Sequence, residues 1–339
     1  MSNSKQHQIK EIVKCGKDPV YFMNKYLKIQ HPIKGLIPFK TYPFQDDCVK
    51  EFNDHRFNII LKSRQLGLST LVAAYSVWQA IFYKEKNILI IATKLAVAQN
   101  FIRKVKAAIK SLPSWLVLPE ISANNKQQVE FTNGSQIKAI ASNESAGRSE
   151  ALSLLVIDEA AIVEGLEEMW AGLYPTLSTG GTCIALSTPY GVGNWFHKTC
   201  TDAEAGANNF NLTTLPWHVH PDRDQEWYRK ETKNMSRRQI AQELECNFNT
   251  SGETVIHPDD IAWLIDQVVE PEYKTGWDRN LWIWEKYQEG VPYLMVADVA
   301  RGDGADSSVF HLLRTDKMEV VAEYQGKPTM DHFAQILND

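Results

Sequence analysis

Three short segments of this chain set polar side chains at the ends of apolar runs, in an order suited to phosphate chemistry. The first is LKSRQLGLST, 61–70, between an apolar run (FNIIL, 57–61) and a stretch of helical pattern across 69–83. A strand–loop–helix junction of this kind converges backbone N–H groups and a helix N-terminus on one anion. Gly67 and Ser69 fall in register with the phosphate-loop pattern GxxxxGK(S/T), but Leu68 stands where the lysine belongs and Lys62 stands at the first position. A transferring phosphoryl group is heavily charged and needs a cation, which Lys62 can supply from the other side of the loop. Lys62, Ser63, Arg64, Gln65, Leu66, Gly67, Leu68, Ser69 and Thr70 are therefore the expected phosphate-binding set. Taken alone, the segment also reads as a strand-to-helix turn with an incidental glycine, or as a degenerate loop in which Leu68 marks a dead site.

The second segment is SLLVIDEAA, 153–161, where an apolar run delivers Asp158 and Glu159 to a strand end. Ligands of open α/β sheets gather at such ends. Asp158 is expected to hold magnesium together with the Ser69 hydroxyl, and Glu159 to orient and deprotonate an attacking water. A strand-end Asp–Glu pair is common by chance, often solvated or capping a helix. The third segment, IALSTP at 184–189, ends another buried run in Ser187 and Thr188, a hydroxyl pair able to bind the water or the γ-phosphate and to report its loss to a neighbouring domain. The three segments in this order are the arrangement of a P-loop ATPase of the additional-strand type.

The elements that must position these groups alternate between buried strands and helices. Apolar runs at 57–61, 87–92, 153–157 and 182–187 alternate with helical patterns at 69–83 and 95–111, which predicts an α/β fold with a mainly parallel sheet. Asn133-Gly134, between alternating segments at 128–132 and 136–141, predicts a hairpin. We divide the chain of 339 residues into an N-terminal extension (1–40), the P-loop ATPase core (41–190), a small subdomain and connector (191–270) and a partial domain (271–339). Strands at 293–300, 307–313 and 318–324 and a helix at about 329–337 are expected in the last. The five cysteines are scattered, odd in number and without a CxxC pair, which excludes a disulfide framework or zinc module and fits a reducing compartment. The net charge of -5 gives no global sign of nucleic-acid binding, which depends instead on local basic surface. The N-terminus is polar, without a signal peptide, and no apolar stretch approaches the length of a membrane span.

With these motifs in hand, the chain resembles the large terminase subunit of tailed bacteriophages from about residue 20 to 325. KTYPFQDDCVKEF (40–52) resembles the family's adenine-recognising motif, with Gln45 reading the base and Tyr42 or Phe44 packing beside it. SRQLG resembles a terminase loop opening, and the family's tolerance of a displaced lysine supports Lys62. ASNESAGRSEALSLLVIDEAA (141–161) and FNTSGETVI (248–256) resemble, in turn, the approach to the acidic strand and the passage from motor to nuclease. The family also needs an arginine finger, for which Arg64 in cis and Arg148 towards a neighbouring subunit are both candidates.

MVADVARGDGADSSVF (295–310) resembles the opening of the family's RNase H-like nuclease, with Asp298 as the first metal-binding carboxylate and Asp306, beyond the Gly302–Gly304 turn, as a second acidic position. Two-metal hydrolysis requires further carboxylates that the family takes from later strands, so little or no nuclease activity is expected of these 339 residues. The resemblance implies ATP and Mg2+ as cofactors, with Mg2+ or Mn2+ at the nuclease site. It implies double-stranded DNA, the portal protein and the small terminase subunit as partners, and a homo-oligomeric ring docked on the portal. It further implies the host cell cytoplasm and transient residence at the procapsid, not in the mature virion. Arg103, Lys104, Lys106 and Lys110 on one helix, and the basic segment with Lys233, Arg237 and Arg238, read as solvated faces or as sequence-indifferent phosphate contacts. A helicase-like translocase is the alternative among enzymes, and a non-hydrolysing DNA-binding relative the alternative outside them.

Overall fold

The computed structural model describes residues 3–31, 33, 35–117, 119–142, 150–248, 263–265, 267–276, 279–301 and 306–338. Two helices open the chain, α1 (Asn3–Lys17) and α2 (Pro19–Tyr26), followed by an antiparallel pair, β1 (Lys28–His31) and β2 (Gly35–Pro38), and by α3 (Pro43–Asp54). The break between α1 and α2 is local chemistry. Asp18 accepts the Tyr21 N–H at 2.8 Å and Pro19 takes the first helical position.

The chain then winds through β3 (Phe57–Lys62), α4 (Leu68–Phe82), β4 (Asn87–Ala92), α5 (Leu95–Ser111), β5 (Ile121–Asn124), β6 (Gln128–Phe131), β7 (Gln136–Ala141), β8 (Leu154–Asp158), α6 (Leu166–Leu173), β9 (Thr182–Ser187), α7 (Trp195–Glu204) and β10 (Asn211–Leu215). The strands form one eight-stranded sheet in the order β10-β3-β9-β8-β4-β7-β6-β5. It is parallel from β10 to β7, and the β5–β6–β7 edge is antiparallel. Central strands read as unbroken apolar runs because both faces are covered. Ile60, Ile88, Ile90, Leu154, Val156, Ile184 and Leu186 face a core built with α4 and α5. Their alternates Ile59, Leu61, Leu89, Ile91, Leu155, Ile157, Cys183 and Ala185 face a second core built with α6 and α7.

After β10 come α8 (Gln225–Thr232) and α9 (Arg237–Ile240), the latter running into a single π-helical turn at Ala241–Glu245. The sequence sets 191–270 apart as a subdomain; the structure differs. Asn211–Leu215 pairs residue for residue with Asn58–Lys62 as the edge strand of the main sheet, and the first compact unit runs from Met1 to Val255. β10 hides from a hydropathy reading because an edge strand is only half-covered: four of its five residues are partly or fully exposed.

The second unit, Ile256–Asp339, holds β11 (Tyr273–Thr275), β12 (Leu281–Ile283), β13 (Tyr293–Asp298), β14 (Ser308–Arg314), β15 (Glu319–Gly326) and α10 (Met330–Asn338). Its sheet has the order β11-β12-β15-β14-β13 with every pairing antiparallel. Phe333 of α10 packs against Phe310 and Tyr324 as the buried centre. The two short strands β11 and β12 are not apparent from the sequence.

Candidate functional site

Strands β3, β9 and β8 lie side by side, with Leu61 opposite Ser187 and Leu186 opposite Asp158. Their C-terminal ends therefore reach one level of the sheet, and the polar residues that follow the apolar runs meet there. The Lys62 Nζ lies 3.2 Å from Glu159 Oε1, the Ser187 hydroxyl donates to Glu159 Oε2 at 3.4 Å, and the Ser69 hydroxyl donates to Asp158 Oδ1 at 3.2 Å. Lys62, Asp158, Ser187 and Thr188 are buried, whereas the Glu159 side chain is one-third exposed, at 33%. Glu159 also sits at φ 55°, a left-handed conformation uncommon for a residue with a side chain. Backbone strain of this kind costs on the order of 1–3 kcal/mol and persists where the surroundings over-determine it.

Electrostatics single out Asp158. Burial raises its pKa, the neighbouring Glu159 charge adds to that, and Lys62, Lys104 and the Ser69 hydrogen bond oppose it. A buried carboxylate held by one hydroxyl and short of full compensation is chemically suited to a hard divalent cation. Lys104 reaches this neighbourhood from α5. Burial lowers its pKa, and the charges of Asp158 and Glu159 raise it. It thus differs from the other basic residues of α5: Arg103 and Lys110 are exposed, and Lys106 donates to the Asn125 carbonyl at 2.6 Å.

The loop between β3 and α4 turns through two left-handed residues, Gln65 (φ 58°) and Gly67 (φ 75°). At Gly67 a Cβ would be strained by the positive φ and would stand 2.8 Å from Gln45 Nε2, displacing that carboxamide. Among the described residues, the amides of Leu66, Gly67, Leu68 and Ser69 donate to no protein acceptor. They are free at the N-terminus of a 15-residue helix, where an anion is favoured. Leu68 is buried in the α4–α5 core, which gives a packing reason for an apolar residue where the pattern has lysine. Gln45, expected to read the base, holds two hydrogen bonds here: its Nε2 donates to the Leu66 carbonyl at 2.8 Å and its Oε1 accepts the Tyr42 N–H at 3.1 Å. In this form the carboxamide ties the loop to the N-terminus of α3, whose N-cap is Tyr42. Tyr42 and Phe44 are stacked with centroids 5.7 Å apart, and His220 approaches Tyr42 at 4.4 Å.

The segment after β10 closes over the outer side of the loop. The Ser63 and Arg64 amides donate to the carbonyls of Leu215 and Glu243, each at 2.7 Å. The Arg64 side chain pairs with Glu243 Oε2 at 2.9 Å and is two-thirds exposed, at 67%. Arg223 donates to Ser63 Oγ at 3.2 Å, to the Arg64 carbonyl at 3.1 Å and to the Gln65 carbonyl at 3.0 Å. Sequence reasoning passed over Arg223, Glu243 and the distinct position of Lys104. The first two lie some 160–180 residues from the loop in the chain, with no motif around them. Lys104 carries a weak signal, since it borders the buried face of Phe101, Ile102, Val105 and Ala108.

Other expected site residues stand apart. Arg148, the Gly302–Gly304 turn with Asp303, and 249–256 of the passage segment lie outside the described residues. Asp298 ends β13 and Asp306 precedes β14, both exposed in the second unit. Among the described residues no group of three or more His, Cys, Asp or Glu converges as a metal cluster. All five cysteines are buried free thiols, and no described helix is long and apolar enough to cross a membrane.

Comparison with known proteins gives two kinds of likeness. The family model for the terminase large subunit, T4likevirus-type, N-terminal part, matches residues 59–262. Among solved structures, the large terminase ATPase domain of Thermus phage P74-26 is similar at 18% identity and a TM-score of 0.54, over 62% of this chain and 94% of that one. The large terminase of bacteriophage HK97 is similar at 13% identity and a TM-score of 0.57, over 88% of this chain and 64% of that one. At such identities the structural likeness speaks for the fold alone: a sheet and flanking helices arranged as in those proteins.

Proposed function

Since this chain belongs to the terminase large-subunit family, we propose that it is an ATP-hydrolysing motor that drives double-stranded DNA into a viral procapsid. The observation that carries the proposal is the meeting of Lys62, Ser69, Asp158, Glu159 and Ser187 at three adjacent strand ends beside a free helix N-terminus. In this reading the amides of Leu66–Ser69 and the Lys62 ammonium hold the triphosphate, with Ser63, Gln65 and Thr70 completing the loop. Ser69 and Asp158 hold Mg2+, which would neutralise phosphate charge when bound. The buried, undercompensated Asp158 carboxylate fits that ion.

Glu159 is the base. Its pairing with Lys62 and Ser187 keeps the carboxylate in place, and its partial exposure leaves it open to water. Ser187 and Thr188 couple the state of that site to β9 and onward. Arg64 and Arg148 both remain candidates for the finger; the Arg64 side chain must leave Glu243 to serve. Gln45 reads the adenine, with Tyr42 or Phe44 packing beside it, and its carboxamide must exchange a present hydrogen bond to do so. Portal protein and small terminase subunit are the proposed partners, with a ring of copies on the portal. Asp298 and Asp306 are proposed as metal-binding positions (Mg2+ or Mn2+) of a nuclease function belonging to the whole protein.

Steady-state ATP hydrolysis with Mg2+ tests the motor, comparing the parent with Lys62→Ala and Glu159→Gln. Both variants are expected to lose about a hundredfold or more in rate, the usual worth of a general base or an electrostatic group in a transition state. A parent that fails to bind nucleotide at all sinks the reading.

A further inference from the structure

We infer that Arg223 is a positioning residue for ATP binding, a fork that holds the phosphate loop in its receptive shape from the side away from the phosphates. The inference rests on the ATP-binding reading above and assigns a part of it to a residue outside every motif.

A phosphate loop works by aiming N–H groups inward, and a backbone that does so must aim carbonyls outward. Here the outward carbonyls are those of Arg64 and Gln65, flanking the left-handed turn at Gln65. Arg223 takes both, from Nη1 at 3.1 Å and from Nη2 at 3.0 Å, and Nη1 also reaches Ser63 Oγ at 3.2 Å. A planar guanidinium suits two acceptors at fixed separation, and an ammonium does not reproduce it.

The fork is itself fixed. The Arg223 guanidinium lies over the Trp227 ring at 4.6 Å, Trp227 stacks on Trp217 with centroids 6.1 Å apart, and Asp224 accepts the Trp227 N–H at 2.8 Å to start α8. Trp217 in turn is buried. The support thus runs from a rigid aromatic stack, through one side chain, to a turn whose conformation decides whether the free amides of Leu66–Ser69 converge. Because its bonds go to the loop rather than towards the phosphates, Arg223 acts on how well ATP binds and leaves the chemical step alone.

The test is ATP hydrolysis by the full chain with Arg223→Ala, Arg223→Gln and Arg223→Lys, with the parent and Lys62→Ala as references and nucleotide-free melting as a control. KM for ATP is expected to rise about tenfold to a hundredfold in Arg223→Ala, the loss of charge-assisted hydrogen bonds, with kcat within about threefold of the parent. Arg223→Lys is expected to recover only part of the loss, and free guanidinium to restore ATP binding to Arg223→Ala. Collapse of kcat at unchanged KM overturns the inference, because Arg223 would then act on the phosphoryl group itself. Unchanged kinetics in all three variants also overturn it. If Arg223→Ala does not fold, Arg223→Gln, which keeps part of the bulk and one NH2 group without the charge, carries the same comparison. A parent that binds no ATP defeats the underlying reading, an outcome separate from any of these.

Discussion

At the scale of single residues, Asp158 is the buried carboxylate on which the proposed Mg2+ site turns. Its carboxyl is buried, and burial together with the neighbouring Glu159 charge raises its pKa. The linkage sign follows. Below the ordinary carboxylate range, folded and unfolded states are both protonated and nothing is lost; as pH rises towards and through the raised folded value, stability falls. Asp158→Asn should therefore melt at the same temperature as the parent in acid and higher at neutral pH, by on the order of 1–3 kcal/mol, the cost of an ill-satisfied buried polar group. The same variant should lose Mg2+-dependent hydrolysis. Melting curves at two pH values check it, and equal stability at neutral pH would show the charge to be well compensated. Lys62, Asp158 and Glu159 were legible in the sequence because apolar runs fix where strands end. Gln45 was legible as important but not in its bracing role, since the distance between its carboxamide and the Leu66 carbonyl is a tertiary fact.

At the scale of elements, the site depends on β9 keeping register between β3 and β8. At Gly181, just before β9, the Leu152 backbone leaves no room for a side chain: a Cβ there would stand 2.2 Å from the Leu152 carbonyl oxygen. The Gly181 carbonyl also accepts from Arg56 Nε at 2.9 Å, and the Arg56 guanidinium reaches the Leu177 carbonyl as well. Gly181→Ala should destabilise the first unit by about 1–3 kcal/mol, as overpacking does, and lower kcat by shifting Ser187 from Glu159. Urea melts and turnover check this; full activity with parental stability would mean that the entry to β9 gives way freely. The helices and central strands were readable because both faces are buried and the runs are long. β10 and the α8–α9 segment were not, because an edge strand and exposed short helices leave mixed patterns.

At the scale of the whole molecule, the boundary at Val255 has a direct test. Residues 1–255 contain both cores of the eight-stranded sheet and every hydrogen bond described at the loop. A fragment of that extent should melt cooperatively and bind ATP as the full chain does, checked by calorimetry and nucleotide titration. A broad melt without nucleotide binding would show that the second unit is needed for the first. The sheet order carries a consequence for how such a chain is made. β9 is synthesised after β3 and β8, yet it lies between them. A nascent chain that has emerged only as far as residue 181 has the β3–α4 loop and the Asp158–Glu159 pair, but not the strand that joins their parent strands in one sheet. Assembly of the site must wait for a late insertion into the middle of the sheet, the slow kind of step that long-range strand pairing imposes. The ribosome therefore delivers the loop and the acid before the wedge that joins their strands.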